Sequence, residues 1–421
     1  MAQPKQGLAR WMLGRTFYPD NTHTRDAEGN PIRPYDMSTD TFGEFMGVKS
    51  DPIGERVTTG LVKLTAQVPL GGAVTASTNG YVLDGRLNDS FRAAFLLLDK
   101  GIAVRRASQP SSDGSVKAGD FLVASGDVSA VAKQAGVDFV ALKSPVTTGA
   151  YELRKPRVAM LQRYGGGNMD EGWTRLMFEQ FNVPYKSIMD AELKVGNLES
   201  KYDTIILAAD SIFAMTGERP PQGQGGPGGG GGGGPDNTPA EYRSGFGAEG
   251  VKALQAFVQK GGTLLTFANA GDLPIQRFGL PLRNIVNGLP SKQFWSPGST
   301  LRVTFNNANP LAYGMPAEGL ALFMAGGQVY EVTSTERSQD VEILSTYAER
   351  DILQSGWLLG ERVIAKKAAA VSVKHGAGKV VLIGFRPQHR DQTHGTFKLV
   401  FNALLNGPAH ATPPPTTAQQ R

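Results

Sequence analysis

The chain contains no cysteine among its 421 residues. This absence excludes disulfide bonds, thiolate metal ligands and cysteine nucleophiles together. Histidine is also scarce. The five histidines are His23, His375, His389, His394 and His410. None forms a His-x-x-Glu pair, and the spacing between His389 and His394 suits no common zinc site. We therefore expect no metal centre and no cofactor.

Other functional motifs are missing as well. The sequence has neither of the phosphate-binding motifs GxGxxG and GxxxxGK[ST], and it lacks the GxSxG elbow of serine hydrolases. No apolar run approaches the roughly 20 residues of a membrane span. The net charge of +5 is not gathered into a Lys/Arg block interleaved with aromatic residues, so we do not expect nucleic-acid binding. The first twenty residues lack the apolar core of a signal peptide, which by itself predicts a cytoplasmic location.

From residue 61 onward, short apolar runs alternate with helical patterns of about ten residues. This alternation predicts an α/β fold with two doubly wound, mostly parallel sheet units of the flavodoxin or amidotransferase type. Segments 204–208 and 263–267 are continuous apolar strands of the kind that a parallel sheet buries on both faces. Segments 301–305 and 363–373 alternate more and predict a small antiparallel appendage.

Composition divides the chain into successive parts. We expect an extended lead-in over residues 1–60, a small α/β domain over 61–153 and an amidotransferase-like domain over 154–407. The glycine-rich loop 219–239 and the tail 408–421 cannot bury enough apolar area to offset their chain entropy, and we predict both to be disordered. The lead-in is too rich in aromatic residues for a free tail. It packs either onto another domain or protein or onto this chain's own domains.

A glycine turn after the strand predicted at 157–161 is a first candidate site. Gly165 precedes a helix whose N-terminus could bind an anion. Asp170 and Glu171 in the first helical turn would repel phosphate, however. The alternative is a structural turn in which Asn168 caps the helix in a capping box with Glu171.

Two further candidates follow predicted parallel strands. Ser211 follows the strand at 204–208 and is a weak candidate nucleophile, because it lacks flanking glycines and an evident base. Asn269 follows the strand at 263–267. Its amide cannot act as a nucleophile, so we count Asn269 as a ligand-binding candidate.

The densest polar cluster lies in segment 384–395, after the last predicted strand. It contains Arg386, His389 and His394. Ligands of open α/β sheets bind outside the carboxyl ends of the strands, so this loop is a candidate binding edge for a small molecule or peptide. The alternative is that the same side chains tie the loop to its neighbours.

Four segments resemble a known family. They are 32–37 (Ile-Arg-Pro-Tyr-Asp-Met), 45–48 (Phe-Met-Gly-Val), 355–360 (Ser-Gly-Trp-Leu-Leu-Gly) and 384–390 (Gly-Phe-Arg-Pro-Gln-His-Arg). Together they are similar to the C-terminal region of large bacterial M14-type zinc carboxypeptidase-like proteins. In that family a peptidase domain precedes a region similar to class I glutamine amidotransferases. The resemblance covers nearly the whole chain and implies a secreted or periplasmic parent, whose peptidase domain would be the main partner.

The chain departs from the family at both catalytic centres. It lacks the zinc motif of the peptidase. The amidotransferase cysteine would follow a strand that corresponds to 261–267, where Asn269 or a neighbour stands instead. The sequence therefore predicts a non-catalytic accessory or interaction module of a carboxypeptidase-like protein. Two alternatives stay open: a small-molecule-binding domain that uses the loop from Arg386 to His394, and a hydrolase with a non-cysteine nucleophile.

Overall fold

The computed structural model describes residues 4–68, 71–124, 126–164, 167–218, 239, 242–243 and 245–407. Apart from residue 239, the predicted disordered segments at 219–239 and 408–421 lie outside the described residues, and so does Gly165. Within the described ranges, no helix is both long enough and apolar enough to cross a membrane.

The lead-in carries two short helices, α1 (Gln6–Leu13) and α2 (Phe42–Phe45). Its middle part lies on the chain's own second sheet. The Ser38 hydroxyl donates to the Gly298 carbonyl (2.7 Å) and accepts from the Trp357 amide (3.0 Å), while the Tyr18 ring stacks on Trp357 at 5.2 Å. Residues 52–68, in contrast, are exposed throughout. The sequence left open whether the lead-in packs onto another protein or onto this chain's own domains. Its middle part packs onto this chain.

The first sheet has five strands, and every neighbouring pair is antiparallel. In the order β4-β1-β3-β2-β5, the strands are β1 (Tyr81–Leu83), β2 (Val104–Ala107), β3 (Phe121–Val123), β4 (Val140–Ala141) and β5 (Ala150–Glu152). Helices α3 (Asn88–Asp99) and α4 (Ser129–Ala135) accompany them. The parallel topology predicted for this unit was wrong. Segment 108–120 joins β2 to β3 without the helix that a parallel crossover needs, so the chain reverses there.

The second sheet contains a parallel block, ordered β7-β6-β8-β9-β17. Its strands are β6 (Val158–Leu161), β7 (Lys186–Ile188), β8 (Thr204–Leu207), β9 (Thr263–Phe267) and β17 (Gly378–Ile383). Alternate residues of these strands enter two separate cores, with Ile206 and Leu265 on one side and Ile205 and Leu264 on the other. Because both faces of the parallel strands are buried, their sequences are continuous apolar runs.

Beyond β17 the sheet continues through antiparallel strands in the order β16-β14-β11-β12. The strands of this region are β10 (Leu282–Asn284), β11 (Ser299–Phe305), β12 (Glu318–Phe323), β13 (Tyr330–Val332), β14 (Val341–Tyr347), β15 (Leu353–Ser355) and β16 (Ala368–His375). The α/β class, a parallel block and an antiparallel appendage are therefore confirmed, although the appendage, with seven strands, is larger than predicted.

The remaining helices pack around the second sheet. They are α5 (Met169–Gln180), α6 (Asp190–Val195), α7 (Ile212–Thr216), α8 (Gly247–Gln259), α9 (Asp272–Arg277), α10 (Glu361–Ile364) and α11 (Phe397–Leu405). Helix α11 also joins the two sheets. The Phe401 ring lies 5.5 Å from Phe91 of α3, and Asn402 accepts a hydrogen bond from the buried Arg106 of β2 (3.1 Å). One continuous core therefore runs between the two sheets.

A substitution at Gly356 tests whether the lead-in is attached to the second sheet through Ser38 and Ser299. The φ of Gly356 is +108°, and a Cβ there would lie 2.6 Å from Ser299 Oγ and 2.8 Å from Ser38 Oγ. We expect Gly356→Ala to lower the free energy of unfolding by about 3 kcal/mol, because strain and overpacking add. Gly101→Ala is the matched control, since Gly101 has φ +72° but open space around its Cβ, and it should cost about 1 kcal/mol. Urea unfolding measures both, and limited proteolysis of residues 4–51 reports release of the lead-in. Equal losses in the two variants would contradict this attachment.

Candidate functional site

The parallel strands β6, β8, β9 and β17 all end at one edge of the second sheet, and the loops that follow them meet there. The polar side chains of this edge come from four elements. We call Arg163, Asn168, Asp170, Asp210 and Arg386 the carboxyl-edge cluster.

The residue at the strand-to-helix elbow is Ala268. It follows β9 directly, has a φ of +45° and is only 1% exposed. A positive φ is uncommon for a residue other than glycine and marks a strained turn, the conformation in which an elbow presents a nucleophile. This turn therefore places Ala268, one residue before Asn269, directly after β9, and its methyl group can neither attack nor bind a proton.

Two ion pairs hold the carboxyl-edge cluster together. Arg386 Nε lies 2.9 Å from Asp170 Oδ1 and 3.1 Å from Oδ2. Arg163 Nε lies 2.5 Å from Asp210 Oδ2. Burial raises the pKa of both carboxyls, and the two guanidinium groups oppose that shift. The positive and negative charges of the cluster are thus matched within it.

Asn168 connects the two ion pairs at the start of α5. Its side-chain oxygen accepts from the Asp170 amide (3.0 Å) and the Glu171 amide (3.3 Å), and its NH₂ donates to Asp210 Oδ2 (3.3 Å). The predicted cap is confirmed, although the Glu171 carboxylate pairs with Arg175 (2.6 Å) rather than completing a capping box. The anion site predicted at Gly165 stays a prediction, because that residue lies outside the described part of the chain.

Ser211 is the N-cap of α7. Its hydroxyl accepts from the Ala214 amide (3.1 Å), and its own amide donates to Asp210 Oδ1 (2.8 Å). Among the described residues, no histidine or lysine is hydrogen-bonded to the Ser211 hydroxyl. These contacts give the side chain a structural role in starting the helix.

The structure brings Asn269 and Arg386 to one loop. Arg386 Nη1 donates to the Ala325 carbonyl (3.3 Å), and a Cβ on Gly326 would lie 3.5 Å from Asn269 Cγ. These two predicted ligand-binding residues therefore border the same segment, 324–327.

His389 and His394 do not join them. His389 is 1% exposed and packs against Trp173 of α5, with ring centroids 4.7 Å apart, and burial lowers its pKa to about 3. His394 stacks on Phe397 at 4.5 Å, and burial lowers its pKa also. In the predicted loop, only the Arg386 side chain lies in the carboxyl-edge cluster, while the histidines tie the loop to α5 and α11.

Four residues of this edge were not selected from the sequence: Arg163, Asp170, Asp210 and Ala268. The available signal was position, because each stands within a few residues of the end of a predicted parallel strand or its glycine turn. No group of three or more histidines, aspartates and glutamates within the described ranges could hold a metal ion.

One known protein family matches a minor part of the chain. The family described as biotin-protein ligase, N terminal, matches residues 299–399, which run from β11 into α11. No curated protein matches the chain in sequence.

Several solved structures resemble the fold at low identity. A cytoplasmic protein, STM3548 from Salmonella typhimurium, is 9% identical, with 59% of this chain and 98% of that chain covered at a TM-score of 0.35. A candidate GMP synthase subunit from Thermoplasma acidophilum is 9% identical, with coverages of 59% and 94% and a TM-score of 0.34. The exo-β-1,4-mannosidase Op5Man5 from Opitutaceae bacterium strain TAV5 is 12% identical, with coverages of 59% and 36% and a TM-score of 0.34.

Asp272 makes the stability of this edge depend on pH. It starts α9 just after the elbow, and burial raises its pKa from 3.8 to about 6, against the opposing effect of Gln328. A carboxyl whose pKa is higher in the folded state favours folding while protonated, so its contribution is present below about pH 4 and is lost as the pH rises through about 6. We expect the wild type to lose roughly 2–3 kcal/mol relative to Asp272→Asn between pH 4 and pH 7.

Urea unfolding of both proteins across this pH range measures the difference. Glu336→Gln, a change at an exposed carboxylate, serves as the control and should leave the pH dependence unchanged. Parallel stability curves for the wild type and Asp272→Asn would show that the Asp272 carboxyl is not buried in solution.

Proposed function

We propose that this chain is a non-catalytic accessory module of a larger carboxypeptidase-like protein of the M14 type. The observation that carries the proposal is the elbow at Ala268. A turn with a positive φ follows β9, and the side chain there is an inert methyl group. A nucleophilic mechanism needs an ionisable or hydroxyl-bearing group at that position.

The carboxyl-edge cluster supports the same proposal. General acid–base catalysis needs groups that can exchange a proton with a substrate. Asp170 and Asp210, the two acids of the cluster, are each paired with an arginine and largely buried. The alternative of a Ser211 hydrolase receives no support from a neighbouring base, because that hydroxyl caps α7.

An interaction role is supported by the exposed apolar side chains of the lead-in. Trp11 of α1 is 53% exposed, and in segment 52–68 Ile53, Leu61 and Val62 are 70%, 70% and 83% exposed. Apolar side chains gathered in one exposed segment are typical of a surface that contacts another protein. By the resemblance described above, the partner is the peptidase domain of the parent protein.

Hydrolase assays test the absence of catalysis. The purified chain should show no turnover of peptide, ester or glutamine substrates above the rate without protein, and Ser211→Ala should not change that result. Ser211→Ala should lower the free energy of unfolding by about 1 kcal/mol through loss of the helix cap. Turnover by the wild type that disappears in Ser211→Ala would contradict the proposal.

Mixing experiments test the partner. The chain and an M14-type peptidase domain of the parent protein should elute together in gel filtration at micromolar concentration. Replacing Ile53 and Val62 by aspartate should weaken the complex at least tenfold without lowering the thermal midpoint of the chain, because both side chains are exposed. Asp127→Asn, a change at an exposed residue in the loop before α4, is the control. A complex unaffected by the aspartate variants would rule out this segment as the contact.

A further inference from the structure

A cleft of about 740 Å³ lies between the lead-in and one face of β11 and β12, away from the carboxyl-edge cluster. In the register of the two strands, Arg302 stands opposite Leu320, and Thr304 stands opposite Glu318. Helix α2 covers the next pair on this face, since Glu44 accepts from Thr300 Oγ1 (2.8 Å). The cleft is therefore the part of this sheet face that α2 leaves uncovered.

A chain of hydrogen bonds fixes Arg302 in the floor of the cleft. The Glu44 side chain is only 9% exposed, and it accepts from Gln354 Nε2 at 2.8 Å. Gln354 Oε1 in turn accepts from Arg302 Nε, also at 2.8 Å. The half-buried guanidinium is thus oriented through its Nε. Within the described residues, its terminal nitrogens have no carboxylate partner and no other acceptor.

The walls of the cleft are mixed in character. Leu13, Val48 and Leu320 supply apolar surface. Arg350, Glu318 and Asp351 stand at the rim, and no ion pair engages them among the described residues. The cleft therefore offers an oriented cation, apolar contacts and unpaired acceptors in one concave space, whose volume lies in the range of small-ligand sites.

We propose that this cleft binds short peptides by their C-terminal carboxylate, with the Arg302 guanidinium as the receptor of the carboxylate. Guanidinium presents a planar fork of donors that matches a carboxylate with two parallel hydrogen bonds. The apolar wall accommodates an apolar terminal side chain, and the carboxylates of Glu318 and Asp351 accept from the N–H or ammonium groups of the peptide. This inference is independent of the elbow at Ala268 and of the proposed peptidase partner.

Calorimetric titration with the tripeptide Ala-Leu-Leu tests the proposal. The free acid should bind the wild-type chain at least tenfold more tightly than the same peptide with a C-terminal amide. Arg302→Gln should weaken binding of the free acid at least tenfold and should remove the preference for the acid over the amide. Arg362→Gln is the matched control, because Arg362 is an exposed arginine on α10 without an ion pair in the described structure. It should bind both peptides as the wild type does.

Three results would overturn the proposal: no binding of the free acid at millimolar concentration, equal binding of acid and amide by the wild type, or an unchanged preference in Arg302→Gln. Binding of free leucine as tightly as the tripeptide would overturn the assignment to peptides. The comparison of acid with amide needs only the wild type, so it stands even if Arg302→Gln lowers the thermal midpoint.

Discussion

The buried ion pair between Asp170 and Arg386 is the interaction on which the carboxyl edge depends. Asp170 lies in the first turn of α5, the helix that follows β6 along the chain, while Arg386 follows β17. A buried carboxylate costs several kcal/mol unless an opposite charge and hydrogen bonds compensate it. The loop that carries Arg386 must therefore dock on α5. Gln388 strengthens the docking by donating to the Asp170 carbonyl (3.2 Å) and Thr174 Oγ1 (3.2 Å).

This docking has consequences for the rest of the molecule. The loop brings His389 against Trp173, it brings Arg390 to Asp36 of the lead-in (2.7 Å), and Gly395 donates to the Phe45 carbonyl (3.1 Å). Segments 32–37, 45–48, 355–360 and 384–390 thus all take part in contacts between the lead-in and the second sheet. The edge at which open α/β sheets bind ligands is closed here by ion pairs within the chain. The guanidinium of Arg302, which has no carboxylate partner among the described residues, lies on the antiparallel extension.

The sequence was most informative where both faces of an element are buried. Strands β8 and β9 were predicted because every residue in them is apolar or a buried threonine. The direction of the strands in the first sheet was not predictable in the same way. Apolar runs indicate that a strand is buried, but they do not indicate whether its neighbours are parallel or antiparallel. Strands β12 and β14 mix exposed and buried positions, and β13 and β15 have only three residues each, so their patterns are weak.

The candidate site was harder to predict, since residue type does not reveal a partner. His389 and His394 are polar residues in a polar loop, yet both pack against aromatic rings. The sequence indicated a turn at Asn269 or a neighbour, and the positive φ in that turn lies at Ala268. Asp170 was noted as an acid that would repel phosphate, but its pairing with Arg386 is a contact across 216 positions that no local pattern encodes.

A double-mutant cycle on this ion pair tests the account most directly. The free energies of unfolding of the wild type, Asp170→Asn, Arg386→Gln and the double variant would be measured in urea at neutral pH. We expect Arg386→Gln alone to lower the free energy of unfolding by about 3 kcal/mol or more, and the two positions to be coupled by about 2–3 kcal/mol. Losses that add to within about 0.5 kcal/mol would show that the two charges do not interact, and that the carboxyl edge is not closed by this pair.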